Sequence, residues 1–511
     1  MPPVALTGDD LTVADVWAVA VEQAPAVLAE SARGRMQAAR ELVERAAHGA
    51  REHTYGVNTG FGRFVSQSIP EELTEELQLR LLRSHACGVG DLYDDEIVRA
   101  AMLLRANTLA KGTSGARVET VELLLECLNR GVVPVVPSRG SVGASGDLAP
   151  LAHLALPLVG EGEAFVEGER LPGLDALARV GLEPLRLAAK EGLSLINGTQ
   201  FMAAFASLGV VRARRLARVA DLACAQSLEA LQGSRTSFLP QIHALRPLRG
   251  QGDSAANVLR LLDGSSIIEA HRWCDKVQDA YSLRCAAQVH GASRDLVDHV
   301  DYTVSVELNA ATDNPLVLVD DDMLVSNGNF HGQPLAFALD LLAMAASELA
   351  SISERRVERL VNPNLSDGLP AFLTTDGGLN SGFMIPQYVA ASLVSENKVL
   401  CHPASVDSIP TSAGQEDHVS MGNAAGLKAW RVLANCERAL AIELLAGAQA
   451  VEFHAPLEPG VGVRATRAAV RELSPRLGDD RSLAPDIEAT ATAIRDGSLL
   501  AAVEAEVGEL R

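Results

Sequence analysis

Residues 139–151 read Arg-Gly-Ser-Val-Gly-Ala-Ser-Gly-Asp-Leu-Ala-Pro-Leu. Gly140, Gly143 and Gly146 flank two small serines, Ser141 and Ser145, the second next to Ala144 and Gly146. A nucleophile elbow needs Gly-x-Ser-x-Gly, and Asp147 stands where its second glycine belongs. A phosphate loop needs a lysine after its last glycine, and none follows. A plain structural turn is one alternative, with Asp147 capping a helix that carries Pro150 in its first turn. Another chemistry uses every small residue in the run. In a sharply bent chain the Gly146 amide nitrogen can reach the Ala144 carbonyl carbon. Loss of water from Ser145 then leaves an exocyclic methylidene on a five-membered imidazolone. Glycine permits the dihedrals, and alanine adds no bulk. The product is an electrophile made from backbone.

An electrophile of this kind suits removal of an amine, which needs a base for a weakly acidic carbon. Tyr55 and Tyr281 lie in polar or Gly/Asn-rich surroundings rather than on apolar helix faces. Tyrosine titrates near about 10 and needs dipoles or cations to act as a base at neutral pH. Arg284 follows Tyr281 by three residues. Its planar fork suits a bidentate hold on a carboxylate, although an exposed ion pair would use the same residue. Asn197 stands in Leu-Ile-Asn-Gly-Thr and forms either a turn with Gly198 or a hydrogen bond to a ligand. The 12 histidines include no His-Glu-x-x-His and no tight ligand cluster, so no metal is expected.

The elements that must position these residues follow from composition and period. The 511-residue chain is 48% hydrophobic but only 4% aromatic, so its core is built from Ala, Leu and Val. Ala and Leu favour helices. Helical spacing of apolar residues runs through 11–50, 70–86, 95–130, 201–232, 253–270, 286–306, 333–361, 384–400 and 424–450. Residues 54–64 break it as a loop, 132–137 read as extended, and 155–195 carry short strand-like pieces such as Ala164–Leu171. The fold expected is mainly α. A loop-rich, mixed N-terminal domain over 1–199 carries the serine loop, and 200–511 form a long-helix bundle that also buries faces between subunits. A net charge of −21 argues against a nucleic-acid surface. The acidic N-terminus, the seven unpaired cysteines and the lack of an 18-residue uncharged apolar run point to a cytoplasmic protein without a membrane span.

Nine stretches together resemble the aromatic amino acid ammonia-lyases. These are GSVGASGDLAPLAH at 140–153, TYGVNTGFG at 54–62, RSHACGVG at 83–90, LINGTQ at 195–200, VQDAYSLRC at 277–285, DNPLV at 313–317, SNGNFHG at 326–332, NSGFMIPQY at 380–388 and the run from His402 to Gly422. The resemblance implies a methylidene-imidazolone formed autocatalytically from Ala144, Ser145 and Gly146, with no external cofactor. It implies Tyr55 as the base and Tyr281 as a second tyrosine near the electrophile. It gives Arg284 the substrate carboxylate, Asn197 the ring or the amino acid, and Gln278 and Phe330 the pocket lining. It also implies a homotetramer with shared active sites. Ser84-His85 and Glu416 resemble the branch that acts on histidine, giving trans-urocanate and ammonia in histidine catabolism. A carboxylate and an imidazole can pair with a substrate imidazole, whereas a phenyl ring would leave each unpaired at about 1–3 kcal/mol. Phenylalanine or tyrosine lyases and 2,3-aminomutases share the electrophile and remain alternatives.

Overall fold

The computed structural model describes residues 2–48, 56–60, 64 and 66–511. Among these are twenty α-helices and a few short strands. The helices follow the apolar periods closely: Gln200–Ala230, Ala286–Glu307, Gln333–Val361, Met384–Leu400 and Gly422–Val451 are the long ones. Where the periodic stretch 95–130 is interrupted, glycine gives the reason. Gly112 and Gly115 take positive φ, and a Cβ on Gly115 would stand 2.3 Å from Val43 Cγ2. The result is two helices, Asp95–Ala110 and Val118–Asn129. The stretch 253–270 likewise divides, into Arg249–Leu261 and Ser266–Ala270, across Gly264 at φ +73°.

The chain forms two compact units. The first comprises Met1–Val211, Val300–Asp340 and Pro403–Leu427. Its centre is the helix Asp95–Ala110, buried on every side from Ile97 onward. Short sheets flank it. Val4–Leu6 pairs in parallel with Ala26–Leu28, and Val133–Pro134, Glu163–Val166 and Glu169–Pro172 form an antiparallel sheet. Pro137–Arg139 pairs antiparallel with Val89–Leu92 and delivers the chain into the serine loop. Thr12 and Asp15 close a capping box on the first helix, satisfying two orphan amides reciprocally.

The second unit comprises Arg212–His299, Leu341–His402 and Lys428–Arg511 and holds no strand among its described residues. Its core carries charge. Arg356 makes a two-pronged pair with Glu443, both fully buried. Asp221 accepts from Ser254, Asn257, His290 and Arg294. The helix Gln333–Val361 is long and apolar enough to cross a membrane by length and composition, yet 67% of its most apolar window is buried inside the protein. Two of its buried ionic residues find protein partners: Asp340 accepts from the Ser405 amide and Arg356 pairs with Glu443. That is the pattern of a core helix.

Glu229 tests the electrostatics of this second core. It is buried, accepts from the Gly460 amide, and burial pushes its carboxyl up to about 7. A carboxyl raised in the folded state binds its proton more tightly there. Its contribution is therefore intact below the unfolded value and is lost as pH rises through the folded one. Glu229→Gln keeps the acceptor and removes the ionisation. The variant is expected to melt higher than the parent above about pH 7 and to converge with it below about pH 4.5. Melting curves across that range check this, and equal curves at high pH would contradict it.

Candidate active site

The serine loop is bent through left-handed backbone. Gly143 has φ +75°, Ser145 +50° and Gly146 +75°. Two segments press on it. A Cβ on Gly146 would lie 2.0 Å from the Gly198 carbonyl oxygen, and one on Gly143 would lie 2.0 Å from Ser420 Oγ. Gly198 accepts from the Asp147 amide at 2.7 Å, and the Met421 amide donates to Val142 at 2.9 Å. Asp147 stands at the N-cap position of Leu148–Ala155 but does not cap it. Its buried carboxylate accepts from Ser141 Oγ at 2.9 Å and the Met202 amide at 3.0 Å, and burial raises it to about 6. Ala144 and Gly146 are buried; Ser145 is half-buried.

Ser145 faces a cavity of about 690 Å³ in the first unit. Of the residues expected from sequence, His85, Asn197 and Glu416 line it as well. Ser145 Oγ donates to Glu416 Oε1 at 3.2 Å, and Thr411 Oγ1 donates to Glu416 Oε2 at 2.6 Å. The carboxylate is thus aimed by a threonine five residues away, across a short antiparallel bridge. Between them Ser412 and Ala413 take φ +51° and +54°. Left-handed backbone at non-glycine residues costs about 1 kcal/mol or more each and persists only where the surroundings enforce it. Its recurrence at Ser145, Ser412, Ala413 and Met421 marks this site as strained.

His85 ends the helix Thr74–His85. Its Nδ1 lies 2.9 Å from the Leu81 carbonyl oxygen. A carbonyl only accepts, so Nδ1 carries the proton and Nε2 is left as an acceptor in the neutral ring. Burial holds the imidazole below its ordinary pKa, against a smaller pull from the Leu81 bond and Glu416. Asn197 follows the helix Glu191–Ile196. Its Nδ2 donates to Asn314 at 3.1 Å, while buried Oδ1 has no hydrogen-bond partner among the described residues. Behind it, Lys190 pairs with Asp313 at 2.6 Å, both fully buried.

The remaining expected residues lie elsewhere. Phe330 is half-buried in the first unit and does not line this cavity. Gln278 and Arg284 line a separate cavity of about 690 Å³ in the second unit, with Lys276, Arg235 and Asp279. Arg284 Nε donates to the Asp279 carbonyl at 2.9 Å, and its guanidinium lies 4.5 Å over the Tyr281 ring. The Nη nitrogens have no hydrogen-bond partner among the described residues, so the fork is available to a ligand. Tyr281 is 70% exposed. Tyr55 lies outside the described residues. No group of three or more His, Cys, Asp or Glu able to hold a metal occurs among the described residues. Sequence reasoning missed Thr411, Ser420 and Arg105. Arg105 alone left a signal, as a charge inside Ala-Met-Leu-Leu-Arg-Ala-Asn.

The site sets a strained serine–glycine loop beside two acceptors on a mainly helical frame, and the family to which the chain is matched makes it a carbon–nitrogen lyase. The chain belongs to the aromatic amino acid lyase family, which matches residues 11–472. Among its relatives is the histidine ammonia-lyase of Gloeobacter violaceus, 57% identical over 99% of this chain and 98% of that one. Another is the histidine ammonia-lyase of Symbiobacterium thermophilum, 56% identical over 98% and 99%. The crystal structure of histidine ammonia-lyase from Trypanosoma cruzi superimposes with a TM-score of 0.91 at 46% identity, covering 99% of this chain and 96% of that one. A tyrosine aminomutase from Streptomyces globisporus gives 0.94 at 40% identity with full coverage of both.

The His85 geometry makes a direct prediction. In ¹⁵N-histidine NMR its titration midpoint should fall below 6.5, with Nδ1 protonated in the neutral ring. A midpoint at or above that value, or a neutral ring protonated at Nε2, would overturn the assignment.

Proposed function

We propose that this chain eliminates ammonia from L-histidine to give trans-urocanate. The observation that carries this reading is the meeting of Ser145 with two oriented acceptors, His85 Nε2 and the Glu416 carboxylate, in one cavity. Whole-length identity to histidine ammonia-lyases supports it. The loop fits a methylidene-imidazolone built from Ala144, Ser145 and Gly146. Its residues are small, its backbone is left-handed, and no Cβ fits at Gly146. The unpartnered Asn197 Oδ1 fits too, as an acceptor waiting beside the loop.

That group supplies an electrophilic carbon to the substrate amine, which makes ammonia a better leaving group. The chain's own residues supply recognition and proton handling. Once Ser145 has lost its hydroxyl, Glu416 Oε1 is released to accept from a substrate imidazole N–H, while Thr411 keeps the carboxylate aimed. His85 Nε2 accepts the second N–H that the substrate ring carries when protonated. Two acceptors in one cavity match a protonated imidazole and leave a phenyl ring's partners unpaired, at about 1–3 kcal/mol each. Arg284 grips the carboxylate, with Gln278, Tyr281 and Phe330 lining the completed site. Tyr55 takes the β-proton.

The proposed assembly is a cytoplasmic homotetramer whose sites draw residues from several subunits. Exposed apolar residues on the long helices support it: Tyr302, Phe337, Ile385, Tyr388 and Val399. Neither an external cofactor nor a metal takes part in this scheme.

Purified protein should convert histidine alone into equal amounts of urocanate and ammonia, and Ser145→Ala should abolish both. Glu416→Gln should lower kcat/KM for histidine by roughly ten- to a hundredfold, the equivalent of one weakened buried hydrogen bond. Ammonia from phenylalanine or tyrosine instead would reject the histidine assignment, and a β-amino acid without ammonia would identify a mutase.

A further inference from the structure

Three layers stack behind the serine loop. The first is Gly146. The second is Gly198, whose carbonyl oxygen would stand 2.0 Å from a Cβ on Gly146. The third is Arg105, whose Nη1 would stand 2.6 Å from a Cβ on Gly198. Nη1 donates to the Asn197 carbonyl at 2.7 Å and to Gln200 Oε1 at 3.1 Å. Gln200 is itself tied to Thr108 and Thr312 by its Nε2, at 3.2 and 3.1 Å. The guanidinium therefore fixes the peptide on one side of Gly198 while the Asp147 amide holds its carbonyl on the other.

Arg105 is 0% exposed, on the wholly buried helix Asp95–Ala110. Its Nε and Nη2 have no partner among the described residues. No carboxylate pairs with it directly among them; burial lowers its pKa to about 10, opposed by the charge of Asp313. A buried guanidinium so weakly compensated costs several kcal/mol. Packing alone would be served as well by a long apolar side chain. What an apolar chain cannot do is hold the Asn197 carbonyl.

We propose that Arg105 is a positioning residue for ring closure, holding the Asn197–Gly198 backbone as the wall against which Gly146 is pressed toward Ala144. This rests on the proposal that the loop cyclises. In that reaction the Gly146 nitrogen bonds to the Ala144 carbonyl carbon and its proton passes to the former carbonyl oxygen. That oxygen leaves as water with the Ser145 amide hydrogen. Ser145 Oγ leaves as a second water with the Cα hydrogen, forming the methylidene double bond. No oxidant or reductant is needed. Arg105 touches none of these atoms. It limits the retreat of the loop, and closure depends on approach geometry.

The test follows dehydration, not turnover. Full-length wild type, Arg105→Lys and Arg105→Met are made by cell-free translation, and intact mass is read against time. Circular dichroism and gel filtration run in parallel. Wild type should become two waters lighter. Folded Arg105→Met should stay at full mass or close more than roughly tenfold slower, the rate equivalent of one lost buried hydrogen bond. Arg105→Lys, which restores one charged donor, should close at an intermediate rate. Wild-type closure in folded Arg105→Met overturns the proposal. If Arg105→Met does not fold, Arg105→Lys decides: closure at the wild-type rate overturns the proposal, and slowed closure in a folded chain upholds it. Wild type that never loses two waters would instead reject the cyclising loop itself.

Discussion

Between Gly146 and Gly198 there is room for hydrogen and nothing larger. The Gly198 carbonyl oxygen occupies the place a side chain on Gly146 would need. Two backbones brought this close must be held from both sides, and much of the first unit does that holding. On one side Arg105 anchors the peptide before Gly198. On the other, Ser420 sits where a Gly143 side chain would be, and Met421 bonds back to Val142. Asp147 ties the end of the loop to Ser141 and to the start of the helix Gln200–Ala230. The loop's left-handed residues are the local expression of this compression.

The same unit keeps its charges where they cannot collapse into one another. Lys190 and Asp313 pair directly, while Arg105 bonds to a carbonyl and an amide oxygen. Asp147 is satisfied by a hydroxyl and a backbone amide, with no cation paired to it among the described residues. A buried carboxylate without a cation is disfavoured as an anion, and its pKa rises accordingly. At Asp221 in the second unit the opposite holds. Asp221 has Arg294 and His290 beside it and is held down to about 2. These two carboxylates follow one rule with opposite outcomes, and Glu229 in the second unit follows Asp147: cation contact decides the direction once burial is complete.

Much of this was legible in sequence. The long helices announced themselves because alanine and leucine recur at helical spacing. Ser145 did so because glycines crowd it, although the same run also reads as a plain turn until the other motifs are set beside it. His85, Asn197 and Glu416 came from motif resemblance, and they meet Ser145 in one cavity. Periodicity does not reveal long-range contact. Ser145 and Glu416 are 271 positions apart, and nothing in either local sequence encodes their hydrogen bond. Thr411 was invisible because a threonine in a polar loop has many uses, and only the bridge to Glu416 selects one. Asp147 was legible in position but not in role. It sits where a cap would sit, and its side chain turns inward because Ser141 and Met202 offer better-placed donors.

The fold leaves substrate choice open, because lyases and aminomutases of the family share it across nearly their whole length. Fold fixes where the electrophile stands and what bends it; the polar end of the cavity fixes what can lie against it. There the decisive feature is a direction. The Leu81 carbonyl forces the His85 proton onto Nδ1, which turns the ring's free nitrogen into an acceptor. Had that carbonyl been absent, the same residue could offer a donor, and the cavity would present one donor and one acceptor. With Glu416 fixed by Thr411, it presents two acceptors. A ligand group carrying two N–H bonds satisfies both, and an imidazole ring meets that description when protonated. The helix end that orients His85 is thus as much a part of the proposed recognition as the histidine itself.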